Sequence, residues 1–551
     1  VYILGINRSK HDGSVALLKD NDVIFYIESE RLSNIKHDDA VFKAIGLIEQ
    51  YTDHLDYIVL SGVSNTYRPY DSYKVTDAYE ACVLGLNKTF SNPRPIVFDF
   101  SDNHHSIHAA TAFYNSGFNE ALCIVKDGAG SEIFFDPEEM SVETSSSIIM
   151  SYPNIINNVE KHFTTSNQFD FDRIYVDRNI FLTNTLSEAT AFEFVAEKIG
   201  LSKWDAGKVM GLSAYGKEDS RIPTLYTNDL LNKDIFPSIT EDRSMSKINI
   251  ELGDTFEDKA NLSYKIQKEV QENVAKYILK MLKETEQKNL CLSGGLFLNC
   301  VSNYNLLKQL PPDINIYVEP MSTDAGNAIG AAKYAYYSLT KSKEIKKQTS
   351  IYYGPTYKYT KEDLNNEKIV ENVSPKDVAK LISEKNIVAL YQGRSEGGPR
   401  ALGNRSILYD PRDPNGKDHV NIVKKREWYR PFAGTVLYEN AKEWFDLQSL
   451  DESKFMMFAV DVIEDKKSFI PAITHVDGTC RVQTLKREDN LNYYNLIEEF
   501  YKITGVPILF NTSLNLAGDA INETLKDALK TLHNSEIKYL YLPELNILVT
   551  K

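Results

Sequence analysis

Apolar and polar residues follow two alternating periods along this chain. Residues 1–5, 14–18 and 23–27 alternate in the way of short strands, with polar turns at 7–12 and 20–22. Apolar runs at 96–98 and 121–125 predict buried strands. The stretch 104–114 between them predicts a helix whose Ala109, Ala110 and Ala112 permit close packing. Residues 137–185, rich in Ser, Asn, Thr and Asp, read as an insertion or mobile excursion. A helix is expected over 187–200 and a loop-rich stretch over 217–262. A long amphipathic helix follows over 264–287. A strand then enters a glycine turn at 290–295 and passes into a helix ending at Leu307, and the pattern recurs at 314–318 and 326–338. Strands alternating with helices predict an α/β fold. The Lys-rich run 341–348 reads as a linker, and a second α/β set follows, with a helix over 374–385 and strands over 387–392, 455–463, 482–485 and 545–549. The expected domains are therefore 1–345 and 346–551, with no internal repeat visible.

Composition narrows the class. The 551 residues exceed what one core holds, and 42% hydrophobic with 25% charged residues is ordinary for a globular protein. A net charge of -15 argues against bulk nucleic-acid binding, though a local basic pocket for a small anion stays compatible with it. Cys82, Cys123, Cys291, Cys300 and Cys480 stand singly in apolar runs, as core thiols of a reducing cytoplasm do. No apolar run is long enough to span a membrane, so a cytoplasmic location is expected.

Four clusters carry chemistry. His104 and His108 are spaced to share one helix face, and Asp127 and Asp324 each end an apolar run at a glycine turn. Two imidazoles with two carboxylates suit a divalent transition metal. The peptidase pattern H-E-x-x-H is absent. Glycine turns at 127–130, 293–295 and 324–326 offer backbone N–H groups to phosphate oxygens, without a P-loop or dinucleotide fingerprint. Lys208, flanked by Gly207 and Gly211, is spaced to reach a phosphate. Arg394, Arg400 and Arg405 lie in a Gly/Pro-rich run, with Lys424, Lys425, Arg426 and Arg430 close behind. In an acidic chain this reads as a shaped anion pocket, which Arg481, Asn511, Ser513 and Asn515 would complete.

These residues, in this order, resemble the NodU/CmcH-type O-carbamoyltransferases over nearly the whole chain. The match runs through His11-Asp12, Glu30-Arg31-Leu32, Lys36-His37-Asp38, His104-x3-His108, Asp127-Gly, Gly207-Lys208, Ser293-Gly-Gly295 and Asp324-x-Gly326. It continues through Gly398 to Ser406, Arg430-Pro-Phe432, His475 to Thr479 and Asn511 to Asn515. The resemblance implies an N-terminal actin-like domain, related to tRNA threonylcarbamoyl-transfer proteins, and a C-terminal YrdC-like α/β domain. It implies that carbamoyl phosphate and ATP, with Mg2+, form carbamoyl adenylate in the second domain. The first domain then passes the carbamoyl group to a hydroxyl of a small molecule: a natural product, a sugar or a hydroxymethyl nucleotide. Arg400, Arg405, Lys424, Arg430 and Arg481 would neutralise phosphate, with Ser513 or Asn515 as polar partners. Lys208, Gly294, Gly295 and Asn299 would hold the nucleotide.

The resemblance further implies a metal on His104, His108, Asp127 and Asp324, iron(II) first, with zinc(II) or manganese(II) as alternatives. His11 would be the general base, as a neutral imidazole oriented by Asp12. A homodimer is compatible with the resemblance, and no membrane or bulk nucleic-acid partner is expected. Asn7-Arg8-Ser9-Lys10 departs from the family's often aromatic segment, and an Arg8/Lys10 pair there would favour a phosphorylated or acidic acceptor. Two other classes compete: a sugar-kinase-like phosphotransferase, which leaves the arginine-rich second half without work, and a non-catalytic nucleotide- and metal-binding regulator.

Overall fold

The alternation at the start of the chain folds into a meander of β1 (Tyr2–Asn7), β2 (Ser14–Lys19) and β3 (Asp22–Glu28), each antiparallel to the next. The computed structural model describes residues 1–9, 11–63, 95–136, 139–165, 173–236 and 248–551. The strands β4 (Tyr57–Ser61) and β5 (Ile96–Asp99) add parallel beyond β1, giving the order β3-β2-β1-β4-β5. β5 was expected to be buried. It instead ends the strand path, with Ile96 and Asp99 exposed.

A second sheet follows, built from β6 (Glu120–Lys126), β7 (Glu132–Asp136), β8 (Glu139–Ser151), β9 (Ile155–Thr165), β10 (Arg173–Asp177) and β11 (Ile180–Thr183). The two-stranded ribbon β12 (Tyr226–Thr227) and β13 (Leu230–Leu231) stands apart. Two further strands, β14 (Asn289–Ser293) and β15 (Asn315–Val318), complete the sheet. Its central run, β9-β8-β6-β14-β15, repeats the first sheet, with two antiparallel steps and then two parallel ones. This doubled arrangement is that of an actin-like domain. The sequence shows no repeat because the duplication survives in strand pairing and alternation, which many side chains satisfy equally well.

The supposed excursion over 137–185 is corrected here, since most of its described part is strand. Ser146 and Ser147 are buried with polar partners. Ser146 Oγ donates to Glu143 Oε1 at 2.7 Å, and Ser147 Oγ lies 2.6 Å from the Tyr277 hydroxyl. Small polar residues with partners fit a sheet interior as well as a loop. The long helix also begins earlier than read, at Phe256 (Phe256–Thr285). Thr255 and Asp258 form a reciprocal capping box there, which the polar composition had hidden.

The helix His104–Ser116 follows the fifth strand of the first repeat, and the helix Asn327–Thr340 follows that of the second. They pack against each other with no room to spare. A Cβ on Gly330 would lie 2.1 Å from Thr111 Oγ1 and 2.7 Å from the Ile107 carbonyl. Tyr114 and Tyr337 stack further along, with ring centroids 4.4 Å apart.

The chain divides into two compact units, Val1–Ser29 with His37–Gln348, and Glu30–Lys36 with Thr349–Lys551. The second unit thus takes a short segment from far upstream, which a single cut between domains leaves out. Arg31, in that segment, donates to the carbonyls of Glu396 at 3.2 Å and Gly398 at 2.7 Å.

The second unit's ten strands are β16 (Lys368–Glu371), β17 (Val388–Tyr391), β18 (Arg405–Tyr409), β19 (Ala433–Leu437), β20 (Phe445–Asp446), β21 (Ala459–Val462), β22 (Thr479–Leu485), β23 (Ile508–Ser513), β24 (Tyr539–Leu542) and β25 (Ile547–Thr550). They form one mixed sheet in the order β16-β25-β24-β17-β18-β23-β19-β22-β21-β20. The helices Pro375–Ser383 and Leu491–Thr504 pack on each other beside it. Among the described residues no helix is long and apolar enough to cross a membrane. Cys123, Cys291, Cys300 and Cys480 are buried free thiols, and Cys82 lies outside the described residues.

Candidate functional site

Three parallel strands bring distant residues to one edge of the second sheet. β6, β14 and β15 run the same way, so their carboxyl ends, which lead to Asp127, Ser293 and Asp324, converge. Such ends are where open α/β sheets bind ligands. The helix His104–Ser116 supplies His104 and His108, one turn apart on one face.

His104 Nε2 and His108 Nε2 lie 3.2 Å apart, and each is 3.3 Å from Asp324 Oδ1. Asp127 Oδ2 is 3.5 Å from His104 Nε2 and 3.9 Å from His108 Nε2. Both imidazoles and Asp324 are buried. The far nitrogens are anchored. His104 Nδ1 is 3.1 Å from the Gly62 carbonyl, and His108 Nδ1 is 3.3 Å from Ser293 Oγ. A carbonyl only accepts, so it fixes the proton of His104 on Nδ1 and leaves Nε2 with its lone pair turned inward. Asp127 is held in the same manner, its Oδ1 accepting the Gly295 N–H at 2.9 Å.

These four donors fit a metal. An ion bonded at about 2.1 Å holds neighbouring donors about 3.0–3.4 Å apart, and all four ligand atoms here lie within 4.8 Å of one another. Electrostatics agree. Burial works against a charged His104, but Asp324 and Asp127 outweigh it and hold its pKa well above the usual imidazole range. Asp324 is driven well below the carboxylate range, against its burial, chiefly by His104. Carboxylates facing imidazoles in a dry site call for a shared cation.

Beside this cluster lies the turn between β1 and β2. Ser14 Oγ donates to the Ala325 carbonyl at 2.6 Å, which ties the turn to the Asp324 loop. Within the turn Asp12, at φ 57°, is flanked by two histidines. His11 Nδ1 is 3.1 Å from its Oδ2, and His37 Nδ1 is 2.7 Å from its Oδ1. Trp204 stacks on His37 with centroids 4.5 Å apart and meets His11 edge-on at 5.3 Å. His37 and Trp204 were not singled out for the site in the sequence, because aromatic packing carries no spacing signal. Burial opposes charge on His11, yet hydrogen bonding to Asp12 and the fields of Asp324, Asp12 and Asp127 push its pKa up to about 9. Those carboxylate fields oppose the neutral imidazole expected of His11 near pH 7.

Several expected nucleotide contacts are spent elsewhere. The Gly295 amide serves Asp127. The Asn299 side chain caps the helix Cys300–Leu307, accepting from the Ser302 N–H at 3.0 Å, and donates to Gln267 at 2.8 Å. Lys208 pairs with Asp205 at 3.1 Å. Gly294, at φ 99°, brings its backbone against Lys126, where a Cβ would meet the carbonyl at 2.3 Å. Arg8 pairs with Asp99 at 3.3 Å, and Lys10 lies outside the described residues.

The second unit sorts its cations into two kinds. Arg405 is fully buried and donates to the carbonyls of Gln392 at 2.6 Å, Asn404 at 3.1 Å and Glu523 at 3.1 Å, with its guanidinium 4.0 Å from the Tyr391 ring. It staples the Gly/Pro-rich loop, so its donors are spent there, where the sequence reading expected a phosphate contact. The same loop is gathered by Glu396, whose Oε1 accepts from the N–H groups of Leu402 at 2.7 Å, Asn404 at 2.8 Å and Arg405 at 3.2 Å.

Lys424 is buried too, but it stands among further cations. Its Nζ donates to the Ser513 carbonyl and, at 2.9 Å, to both the carbonyl and Oδ1 of Asn515. Burial first, then Arg426, Arg430 and Lys36, hold its pKa well below the lysine range. Arg426 is likewise depressed, by burial and by Arg430 and Arg481. Cations crowded together in a buried place repel one another, an arrangement that suits an anion. Arg426 belongs to this group although the sequence offered nothing to rank it above its neighbours. Arg400 and Arg481 are each partly paired, and Arg430 lies 3.6 Å from Glu427.

Comparison with known proteins gives a consistent picture. The profile of the carbamoyltransferase N-terminus matches residues 2–73 and 69–333, and that of the carbamoyltransferase C-terminus matches 379–551. The chain is 31% identical to nodulation protein NolNO of Sinorhizobium fredii over 96% of its own length and 78% of that protein's. It is 32% identical to nodulation protein NolO of Bradyrhizobium diazoefficiens over 79% and 76% of the two lengths. Among solved structures, full-length HypF in its phosphate- and nucleotide-bound form is similar over 62% of this chain and 56% of that one. At 15% identity and a TM-score of 0.37 the likeness is too slight to carry weight.

Proposed function

This chain belongs to the carbamoyltransferase family, and from that premise we propose that it is an ATP-dependent O-carbamoyltransferase with separate sites for activation and transfer. The observation that carries the reading is the inward-facing cluster of His104, His108, Asp127 and Asp324 beside His11. A site that only activates carbamoyl phosphate has no use for it.

In the second unit the cations around Lys424, with Arg426, Arg430 and Arg481, bind the phosphates of ATP and carbamoyl phosphate. Water cleaves the P–O bond of carbamoyl phosphate, inorganic phosphate leaves, and an oxygen of the freed carbamate attacks the α-phosphorus of ATP. Pyrophosphate leaves, and carbamoyl adenylate forms. In the first unit the acceptor hydroxyl oxygen attacks the carbamoyl carbon, its proton passes to His11 Nε2, and AMP departs. His11 Nδ1 already faces Asp12, so Nε2 is the nitrogen free for that proton. A divalent ion, iron(II) or zinc(II), held by the four ligands would supply Lewis acidity toward the carbonyl. By neutralising Asp127 and Asp324 it would also offset two of the fields that push the His11 pKa up. Arg8 pairs with Asp99, and we take a neutral alcohol as the acceptor.

The test separates the two sites. His108→Ala is expected to retain carbamoyl-phosphate-dependent pyrophosphate release, lose bound metal and lose carbamoyl transfer. Arg430→Ala is expected to lose pyrophosphate release. Full transfer by His108→Ala would sink the metal assignment. A sugar-kinase-like enzyme would yield ADP, and a regulator would yield no product.

A further inference from the structure

Glu319 is a fully buried carboxylate with no part in the transfer chemistry. It stands directly after β15, five residues before Asp324. Its Oε2 accepts from Asn115 Nδ2 at 3.0 Å, and its Oε1 accepts the Met321 N–H at 3.0 Å. The other end of the Asn115 amide faces a buried ammonium, with Lys333 Nζ 2.7 Å from Asn115 Oδ1. An amide between a carboxylate and an ammonium has one workable orientation, nitrogen to the first and oxygen to the second. The Tyr317 hydroxyl lies 3.2 Å from Glu319 Oε2 and 2.9 Å from Gln348 Oε1. Burial pushes the Glu319 pKa up to about 7 against its partners, and pulls that of Lys333 down to about 8 against the field of Glu319. Buried opposite charges contribute little net stability, and apolar side chains of similar volume often serve a core as well or better.

Placement explains what the network does. Asn115 is on the helix His104–Ser116, seven residues past His108, and so shares a face with the two imidazoles. Lys333 is on the helix Asn327–Thr340. The segment from Glu319 to Asp324 is therefore held to the imidazole helix at both ends. His108 Nε2 is 3.3 Å from Asp324 Oδ1 at one end, and Asn115 bonds Glu319 at the other. Between these points Glu319 holds the Met321 N–H, and Ser322 Oγ donates to the Gly294 carbonyl at 2.8 Å.

We infer that Glu319 is a positioning residue of the metal centre: through Asn115 and the Met321 N–H it sets the Asp324 carboxylate against the two imidazoles, with Lys333 as its counter-charge. This rests on the metal reading above and adds no step to the reaction.

The test is a double-variant cycle on the full chain, with zinc(II) as the probe in titration calorimetry. In Glu319→Gln the new amide oxygen still accepts the Met321 N–H, but its nitrogen meets Asn115 Nδ2, donor against donor. Zinc(II) affinity is expected to fall about 10- to 100-fold, the usual loss when an outer partner of a metal site is removed. Asn115→Asp sets a second carboxylate against Glu319 and is expected to lose affinity in the same range. In the combined variant the carboxylate at 115 faces the Lys333 ammonium. The amide at 319 donates to that carboxylate while its oxygen accepts the Met321 N–H. Every donor is paired again, so most of the lost affinity is expected to return, and the single losses do not add. Cobalt(II) loaded in place of zinc(II) reads the ligand geometry, its visible bands displaced in the single variants and restored in the combined one. Glu319→Asp keeps the charge and shortens the reach, so it is expected to fold even where the amide variant does not, and to weaken zinc(II) likewise. A network serving stability alone would lower melting temperatures and leave zinc(II) affinity and the cobalt(II) bands of the folded variants unchanged. That outcome would overturn the positioning role, as would a combined variant no better than the weaker single one. A wild type that binds no zinc(II) would instead remove the metal reading itself.

Discussion

Arg405 and Arg430 sit within one basic run of the sequence and do opposite work. Arg405 spends its donors on backbone carbonyls and a ring face in a fully buried place. Arg430 has a loose partner in Glu427 at 3.6 Å and crowds Lys424 and Arg426. Removing a buried, fully used cation orphans its acceptors at a cost of about 3–5 kcal/mol. Arg405→Met is therefore expected to lower the melting temperature by several degrees and to lose activity in proportion to unfolding. Arg430→Ala keeps its melting temperature and loses pyrophosphate release. Thermal melts run beside the release assay check both, and a stable Arg405→Met protein would contradict the staple.

At the scale of elements, the site depends on how closely two helices approach. Helix His104–Ser116 carries the imidazoles, and helix Asn327–Thr340 begins just after Asp324. Gly330 sets their spacing, since a Cβ there would enter the space of Thr111 Oγ1 and the Ile107 carbonyl. Gly330→Ala is expected to cost about 1–3 kcal/mol as overpacking. It is also expected to weaken metal binding by displacing the histidines from Asp324. Titration calorimetry with zinc(II) on the wild type and the variant reads that loss directly. Equal affinities would show that the helices yield without moving the ligands.

At the scale of the molecule, the proposed function gives the two units two kinds of ligand site. A ligand that binds only the native form stabilises the unit it binds by RT ln(1 + [L]/Kd). A divalent ion at 100 times its Kd is expected to stabilise the first unit by about 2.7 kcal/mol. ATP with carbamoyl phosphate is expected to act on the second. Differential scanning calorimetry should show the ion raising one transition and the phosphates another, with the ion's effect absent in His108→Ala. A single transition raised equally by both would show that the units unfold as one.

Most of the order of elements, the α/β class and the members of the His/Asp cluster were legible in the letters. Local rules write them: alternation for β1 to β3, the one-turn spacing of His104 and His108, glycines at strand ends, arginines in a Gly/Pro-rich run. Other features waited for the tertiary structure because they are properties of proximity. The doubled strand order lies in pairing, which sequence identity does not encode. The segment Glu30–Lys36 joins the second unit through contacts far away in sequence, such as Arg31 with Gly398. The convergence of Asp127 and Asp324 on the histidines follows from parallel strands ending at one edge. That Arg405 and Lys424 spend their donors inside the chain depended on burial and on which carbonyls lay within reach. A residue's type sets what bonds it can make, and the fold decides which of them are already made.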